Sequence, residues 1–123
     1  MAKLLHNDVL DAALDEVATC THLNFCSSQP ANYAAISGVS LANVTLTAGD
    51  GNGDYVVADD TSGRKVTVGA QSDMTPTADG TVLWAVLDDG TTLLAATSVT
   101  SQAVLTTQTW NSPAFKIGIA DPS

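Results

Sequence analysis

Three groups of residues in this 123-residue chain have types and spacings that could carry chemistry. Asp50, Asn52 and Asp54, separated by Gly51 and Gly53, offer oxygen ligands at alternate positions on a flexible turn, as the opening of a calcium loop does. The remainder of that loop departs from the pattern. Tyr55 stands where the sharp-turn glycine belongs, and Thr61 where a bidentate Glu would close the shell, so an ordinary Asp/Asn/Gly turn is expected there. Cys20, His22 and Cys26 would share one face of a strand and could in principle hold zinc, but their spacing matches no standard finger, and a fourth ligand would have to come from His6 or a distant acid. A packed strand with two reduced cysteines is the expectation.

Nucleophilic catalysis needs a Ser or Cys beside a base. The sequence has only His6 and His22 and no Gly-x-Ser-x-Gly turn. The carboxylate pairs Asp59-Asp60 and Asp88-Asp89 sit in turn sequences, where adjacent acids point to solvent rather than flank a substrate. No Gly-rich phosphate loop precedes a helix. The expectation is a protein that is not an enzyme and that needs no cofactor and no metal. Among the aromatic residues, Trp84, Trp110, Tyr33 and Tyr55 could form a sugar-stacking platform. Core packing suits Trp84, whereas Trp110 lies beside Asn111-Ser112-Pro113 in an expected loop and suits an exposed contact. Trp110, Tyr55, Asp88 and Asp89 are the candidate interface residues.

The elements that must position these residues are mostly strands. Between Asn7 and about Ala18, Val9, Leu10, Ala13, Leu14 and Val17 recur at helical spacing, with Asp8, Asp11, Asp15 and Glu16 off the stripe as a solvated face. Asn7 or Asp8 would cap this N-terminal helix. A strand is expected at Cys20 to Cys26, ended by Pro30, and the stretch from Ala31 to Gly38 suits either a helical turn or a loop. From Ser40 the period becomes two, with Val44 and Leu46 on one face. Tyr55 to Ala58 and Lys65 to Ala70 flank Asp60-Thr61-Ser62-Gly63 as a hairpin. Val82 to Leu87 and Thr91 to Thr97 flank Asp89-Gly90, which suggests a two-residue type I′ turn with Val86 facing Leu93 and Trp84 facing Ala95. Both faces of that hairpin are apolar, which places it inside a sheet or at an interface. Val104 to Thr107 and Ala114 to Ala120 supply the last strands, and the tail Asp121-Pro122-Ser123 stops the sheet. The fold class is therefore mainly β: a single-domain antiparallel β-sandwich or barrel of about seven to eight strands with one N-terminal α-helix.

Composition agrees with one globular domain, at 45% hydrophobic and 14% charged residues. Thirteen acidic against four basic residues give a net charge of −9, which repels a phosphate backbone, so nucleic acid is not an expected partner. The opening Met1 to Leu5 is interrupted by His6, Asn7 and Asp8 before any apolar signal-peptide core forms, and no run approaches a membrane span. A chain made in the cytoplasm, with no membrane partner, is expected.

Several stretches together carry a resemblance: Met1 to Asp11, Cys26-Ser27-Ser28-Gln29-Pro30 with Tyr33, Thr61 to Val68, and Ile117 to Pro122. Over nearly the whole chain they resemble a family of small virion structural proteins of tailed bacteriophages. The resemblance implies a virion component, a capsid decoration or cement protein that docks on the major-capsid lattice. It also implies partners among the virion proteins, oligomeric placement in the particle, and an N-terminal segment able to serve as a docking arm. The alternatives are a head-to-tail or tail protein in rings of about six or twelve copies, and a carbohydrate-binding module of a host-recognition structure built on Trp110 or Tyr55.

Overall fold

A computed structural model describes residues 6–51 and 54–119. Residues 1–5, which include most of the proposed docking arm, as well as Asn52 and the 120–123 tail, lie outside the described residues.

The helix α1 spans Asn7–Val17, and its cap is His6 rather than Asn7 or Asp8: the His6 Nδ1 accepts from the Asp8 amide at 3.1 Å. Its buried stripe is narrower than the sequence pattern suggests. Leu10 and Leu14, followed by Ala18, are buried, while Val9 is 56% exposed and Ala13 is exposed. Asp11 is also not a free solvated acid, because Arg64 reaches it with two N–H donors at 2.7 and 3.2 Å.

Nine strands follow α1 among the described residues: β1 (His22–Cys26), β2 (Ser40–Thr45), β3 (Tyr55–Asp59), β4 (Arg64–Val68), β5 (Gln71–Met74), β6 (Gly80–Asp88), β7 (Leu93–Val104), β8 (Trp110–Ser112) and β9 (Phe115–Ile119). A 3-10 turn (Tyr33–Ala35) and a short helix α2 (Ile36–Val39) occupy the stretch before β2, so the helical alternative holds there. All pairings are antiparallel. The strands form one sheet ordered β2-β1-β6-β7, a second ordered β3-β4-β9, and a two-stranded ribbon β5-β8. The chain is mainly β with one N-terminal helix, as its Thr/Val alternation predicts.

Register decides which side chains meet. In the three-stranded sheet, Tyr55, Val68 and Phe115 lie abreast, as do Val57, Val66 and Ile117. This face is apolar, while Lys65, Thr67, Val56 and Lys116 alternate onto the other face. In the four-stranded sheet, Leu23, Val44, Leu87 and Ala95 form one row and Phe25, Ala42, Ala85 and Thr97 the next. The two apolar faces share a single core with Leu14 and Ala18 of the helix region. Burying the larger members contributes about 1.5–3 kcal/mol each, and that is why the two sheets and α1 hold together as one unit.

The β3–β4 connection forms as expected, closed by the Asp60 amide donating to the Gly63 carbonyl at 3.2 Å, with Gly63 at φ 76 where a Cβ would be strained. The β6–β7 connection differs from the expected two-residue turn. Val86 faces Ala96, Trp84 faces Ser98 and Asp88 pairs with Leu93, leaving a loop of Asp89 to Thr92. A type I′ turn needs positive φ at both central residues, and here Gly90 alone has it, at 97. Instead the Asp89 carboxylate gathers the amides of Thr91 and Thr92 at 3.0 and 2.8 Å, which holds the wider loop and keeps the Asp89 carboxyl below the usual carboxylate range.

β7 runs to Val104, and the separate strand expected at Val104 to Thr107 does not form: the chain turns after Val104, with the Gln108 amide donating to the Leu105 carbonyl at 3.2 Å. The polar β5 was not anticipated. It pairs with β8, and Asp73, at φ 58, has its amide held by the Asn111 Oδ1 at 2.8 Å.

Candidate functional site

The apolar core occupies only the inner face of the four-stranded sheet, and its outer face is built in two halves. On β6 and β7 that face carries Trp84, Val86, Leu93 and Ala96, which pack with Cys26 beneath Ile36 and Val39 of α2. This explains the two-sided apolar pattern of β6, an interior strand covered on its second face by its own chain. On β1 and β2 the same face carries His22 opposite Thr45 and Asn24 opposite Asn43. The segment from Tyr33 to Ser37 stands beside this polar half and leaves a cleft of about 560 Å³, with His22, Asn24, Asn43, Ser40 and Asp88 among its lining.

Asp88 anchors the cleft. Its side chain is 5% exposed, with Oδ2 accepting from the Asn24 Nδ2 at 2.6 Å, Oδ1 accepting from the Gly90 amide at 2.9 Å, and the His22 Nδ1 at 3.4 Å from Oδ1. The contact with Asn24 is a cross-strand diagonal, since Asn24 is paired with Val86, two residues before Asp88. A buried carboxylate is tolerated only with such partners. Asp88 is therefore not an exposed interface residue, which corrects the reading of Asp88-Asp89 as a solvent-facing pair.

Tyr55 is corrected in the same way. It is fully buried, and its hydroxyl donates to the Cys20 carbonyl at 2.7 Å. Burial pushes its phenol above the ordinary range, and the ring serves the core rather than an interface or a sugar platform. Trp110 lies at the start of β8 instead of in a loop, half-buried, with its ring edge-on to Phe25 at 4.6 Å and its Nε1 donating to the Gln102 Oε1 at 2.8 Å. It lines a second, smaller groove of about 240 Å³ with Val99, Pro113 and Phe115. Of the four candidate interface residues, Asp89 is a loop-forming acid and Trp110 alone keeps a partly exposed ring.

The calcium candidates have other partners. The Asp50 Oδ1 accepts from the Val57 amide at 2.9 Å and the Asp54 Oδ2 from the Thr47 amide at 2.6 Å, which makes them organisers of the loop before β3; Asn52 lies outside the described residues. Among the described residues no cluster of three metal-ligating side chains occurs. Cys20 and Cys26 are free and buried. Burial pushes the Cys20 thiol up to about 12, with Asp89 and Asp88 adding to it, and the Cys26 thiol up to about 11, so both are neutral packing groups at pH 7. Cys20 precedes β1 and does not share a strand face with His22 and Cys26.

The free edges of the sheets form the other distinctive surface. The outer edge of β3 is engaged by its own preceding loop, through the Asp50 carboxylate and the Gly51 amide bonded to the Tyr55 carbonyl at 2.7 Å. That of β2 receives the Thr77 amide on the Leu41 carbonyl at 2.7 Å. β9 is five residues long and carries Lys116. β7 is the longest of these edges: it has twelve residues, lies at the end of its sheet and contains no charge and no proline, and its largest irregularity is a bulge at Val99 to Ser101, where Ser98 and Gln102 pair with Trp84 and Val82. From Gly90 to Phe115 the sequence has no Asp, Glu, Lys or Arg, in a chain of net charge −9.

Sequence reasoning missed the cleft residues His22, Asn24 and Asn43 as a group. A signal existed, since His22 and Asn24 alternate with Leu23 and Phe25 in β1 while Asn43 and Thr45 alternate with Val44 in β2. No family model matches the chain, and no match is found among the curated proteins or the solved structures. Among the described residues no helix is long and apolar enough to cross a membrane.

Proposed function

We propose that this protein is a structural component of a tailed-bacteriophage virion, a capsid decoration protein that docks on the major-capsid lattice through the edge of β7. The observation that carries the docking mode is that edge: twelve residues paired to β6 on one side in two stretches, Leu93 to Ser98 and Gln102 to Val104, joined by a bulge, with the other side unpartnered among the described residues and no charge or proline to discourage pairing. Natural sheet edges are normally short, charged, bulged or covered, because a bare one is a template for another strand, and on β7 bulging is the one such device among the described residues. A neighbour that adds a strand there gains main-chain hydrogen bonds along its length, with side-chain contacts in the adjoining Phe25–Trp110–Phe115 groove setting specificity. The assignment to a virion is supported by the sequence resemblance of the segments at Met1 to Asp11, Cys26 to Pro30, Thr61 to Val68 and Ile117 to Pro122. The acidic surface fits this role, since it disfavours adhesion to packaged DNA.

The test is quantitative mass spectrometry of purified particles, with wild-type chain and with Ser98→Lys/Thr100→Lys, which places two charges on exposed positions of β7. The role requires a copy number commensurate with the capsid lattice and loss of the variant from particles while its free fold is retained. Absence from the particle overturns the virion reading, a ring of about six or twelve copies moves the protein to the head-to-tail or tail assembly, and full incorporation of the variant overturns docking through β7.

A further inference from the structure

We propose that the cleft between the outer face of β1–β2 and the Tyr33–Ser37 segment is a binding site for a neutral saccharide. Its volume, about 560 Å³, falls in the range of sites that enclose small ligands. A sugar ring needs two things from a protein: an aromatic face for its C–H surface, and fixed hydrogen-bonding groups for its hydroxyls. The cleft supplies both on opposite sides.

The aromatic wall is Tyr33. It is 41% exposed, although Ile36, three residues later, is buried under the same segment. The ring is presented on an ordered backbone, because the Asn32 Oδ1 accepts from the Ala35 amide at 3.0 Å and fixes the 3-10 turn that carries it. The polar floor is the Asn24–Asn43 cross-strand pair with His22 at its end. Asn24 is held in one orientation by its 2.6 Å bond to Asp88, which is itself fixed by Gly90. Such preorganisation removes much of the ordering cost of binding.

The electrostatics select an uncharged ligand. From Leu23 to Gly49 the sequence has no Asp, Glu, Lys or Arg, so His22 is the one ionisable side chain that the floor strands bring to the lining. The one carboxylate in the lining, Asp88, already has donors at both oxygens and is 5% exposed, which leaves no open coordination shell for a cation. An anion would meet that carboxylate and a net charge of −9 without a lysine or arginine in the lining. Carboxamides, hydroxyls and an aromatic face together suit the alternating hydroxyl and C–H surfaces of a pyranose.

A printed panel of neutral hexose and N-acetylhexosamine oligosaccharides identifies the strongest binder, which is then titrated into ¹⁵N-labelled protein. The expected result is saturable binding with amide shifts concentrated at Asn24, Asn43 and the Tyr33–Ser37 backbone. Tyr33→Ala and Asn43→Ala, both at exposed positions, each weaken Kd by about 3- to 10-fold, and Trp110→Ala leaves it unchanged. No binding across the panel at millimolar concentration overturns the proposal, as does binding unaffected by both cleft variants or lost with Trp110→Ala. Particle incorporation is read separately, so failure here leaves the docking proposal standing and the converse also holds.

Discussion

Replacing Tyr55 with Phe removes one oxygen from the centre of the molecule and leaves the packing otherwise intact. Tyr55 is fully buried, abreast of Val68 in the core face of its sheet, and its hydroxyl is the tether between β3 and the Cys20 carbonyl at the end of the α1–β1 connection. Losing the bond leaves a carbonyl acceptor stranded in an apolar interior, at a cost of about 1–3 kcal/mol. For a chain of this length each kcal/mol lowers Tm by roughly 3–5 °C, so Tyr55→Phe should melt about 3–15 °C below wild type. The truncation Tyr55→Ala adds a cavity and should cost about 3–5 kcal/mol. The effect has a pH signature. Burial raises the phenol's folded pKa above its ordinary 10.0, so the unfolded chain ionises first as pH rises. The tyrosine's preference for the neutral form therefore stabilises the fold below pH about 10 and is progressively lost above it. Chemical denaturation followed by circular dichroism at pH 7 and pH 10.5 reads both effects. The wild-type advantage should be largest at pH 7 and shrink at pH 10.5. A Phe variant within about 0.5 kcal/mol of wild type at pH 7, the ordinary scatter of surface substitutions, would refute the tether.

Further consequences concern other buried or paired groups. Cys20 and Cys26, raised by burial to about 12 and about 11, should resist a thiol reagent at pH 8 in the native protein and react fully in denaturant; fast native labelling would contradict their packing. Because the unfolded thiols ionise first, they also lower stability as pH rises above about 9, the same sign as Tyr55. Arg64→Met should lower Tm, and Asp11→Asn should reproduce most of that loss while Asp59→Asn reproduces little, since Asp59 is 80% exposed and Asp11 only 28%. Equal effects of the two acids would contradict this ranking. The Lys116 Nζ bonds both Asp60 oxygens at 2.9 Å and, with the Thr61 amide, holds the Asp60 carboxyl below its usual range. That stabilisation is present above the unfolded carboxylate pKa and is lost as pH falls through the folded value, so Lys116→Met should flatten the acid limb of the stability profile. An unchanged acid limb would contradict it.

How far the sequence reaches is clearest strand by strand. β3 and β4 were legible because their apolar period of two and the Asp60–Gly63 turn point to the same pairing. β6 was legible as a covered strand, but its cover was not, because Ile36 and Val39 come from a stretch whose composition suits loop and helix equally. Asp88 misled for a related reason: an acid beside Asp-Gly reads as a turn residue, and only the pairing of β1 with β6 brings Asn24, 64 residues away, against it. Tyr55 has the same residue type whether it faces partner or core, and its burial depends on Val68 and Phe115 lying abreast. β5 has little apolar pattern to show, since polar contacts to Ser112 and Asn111 help to hold it. The same holds for the Arg64–Asp11 contact, which joins residues 53 apart.

The β7 edge makes a claim that does not depend on any single side chain. A cryo-EM reconstruction of the purified particle tests it most directly. Docking through β7 places this chain at lattice positions on the capsid exterior, with a strand of a neighbouring subunit running along Leu93 to Val104 and the Trp110 groove filled beside it. A particle that contains the chain with β7 open to solvent, its contacts made elsewhere, would contradict it.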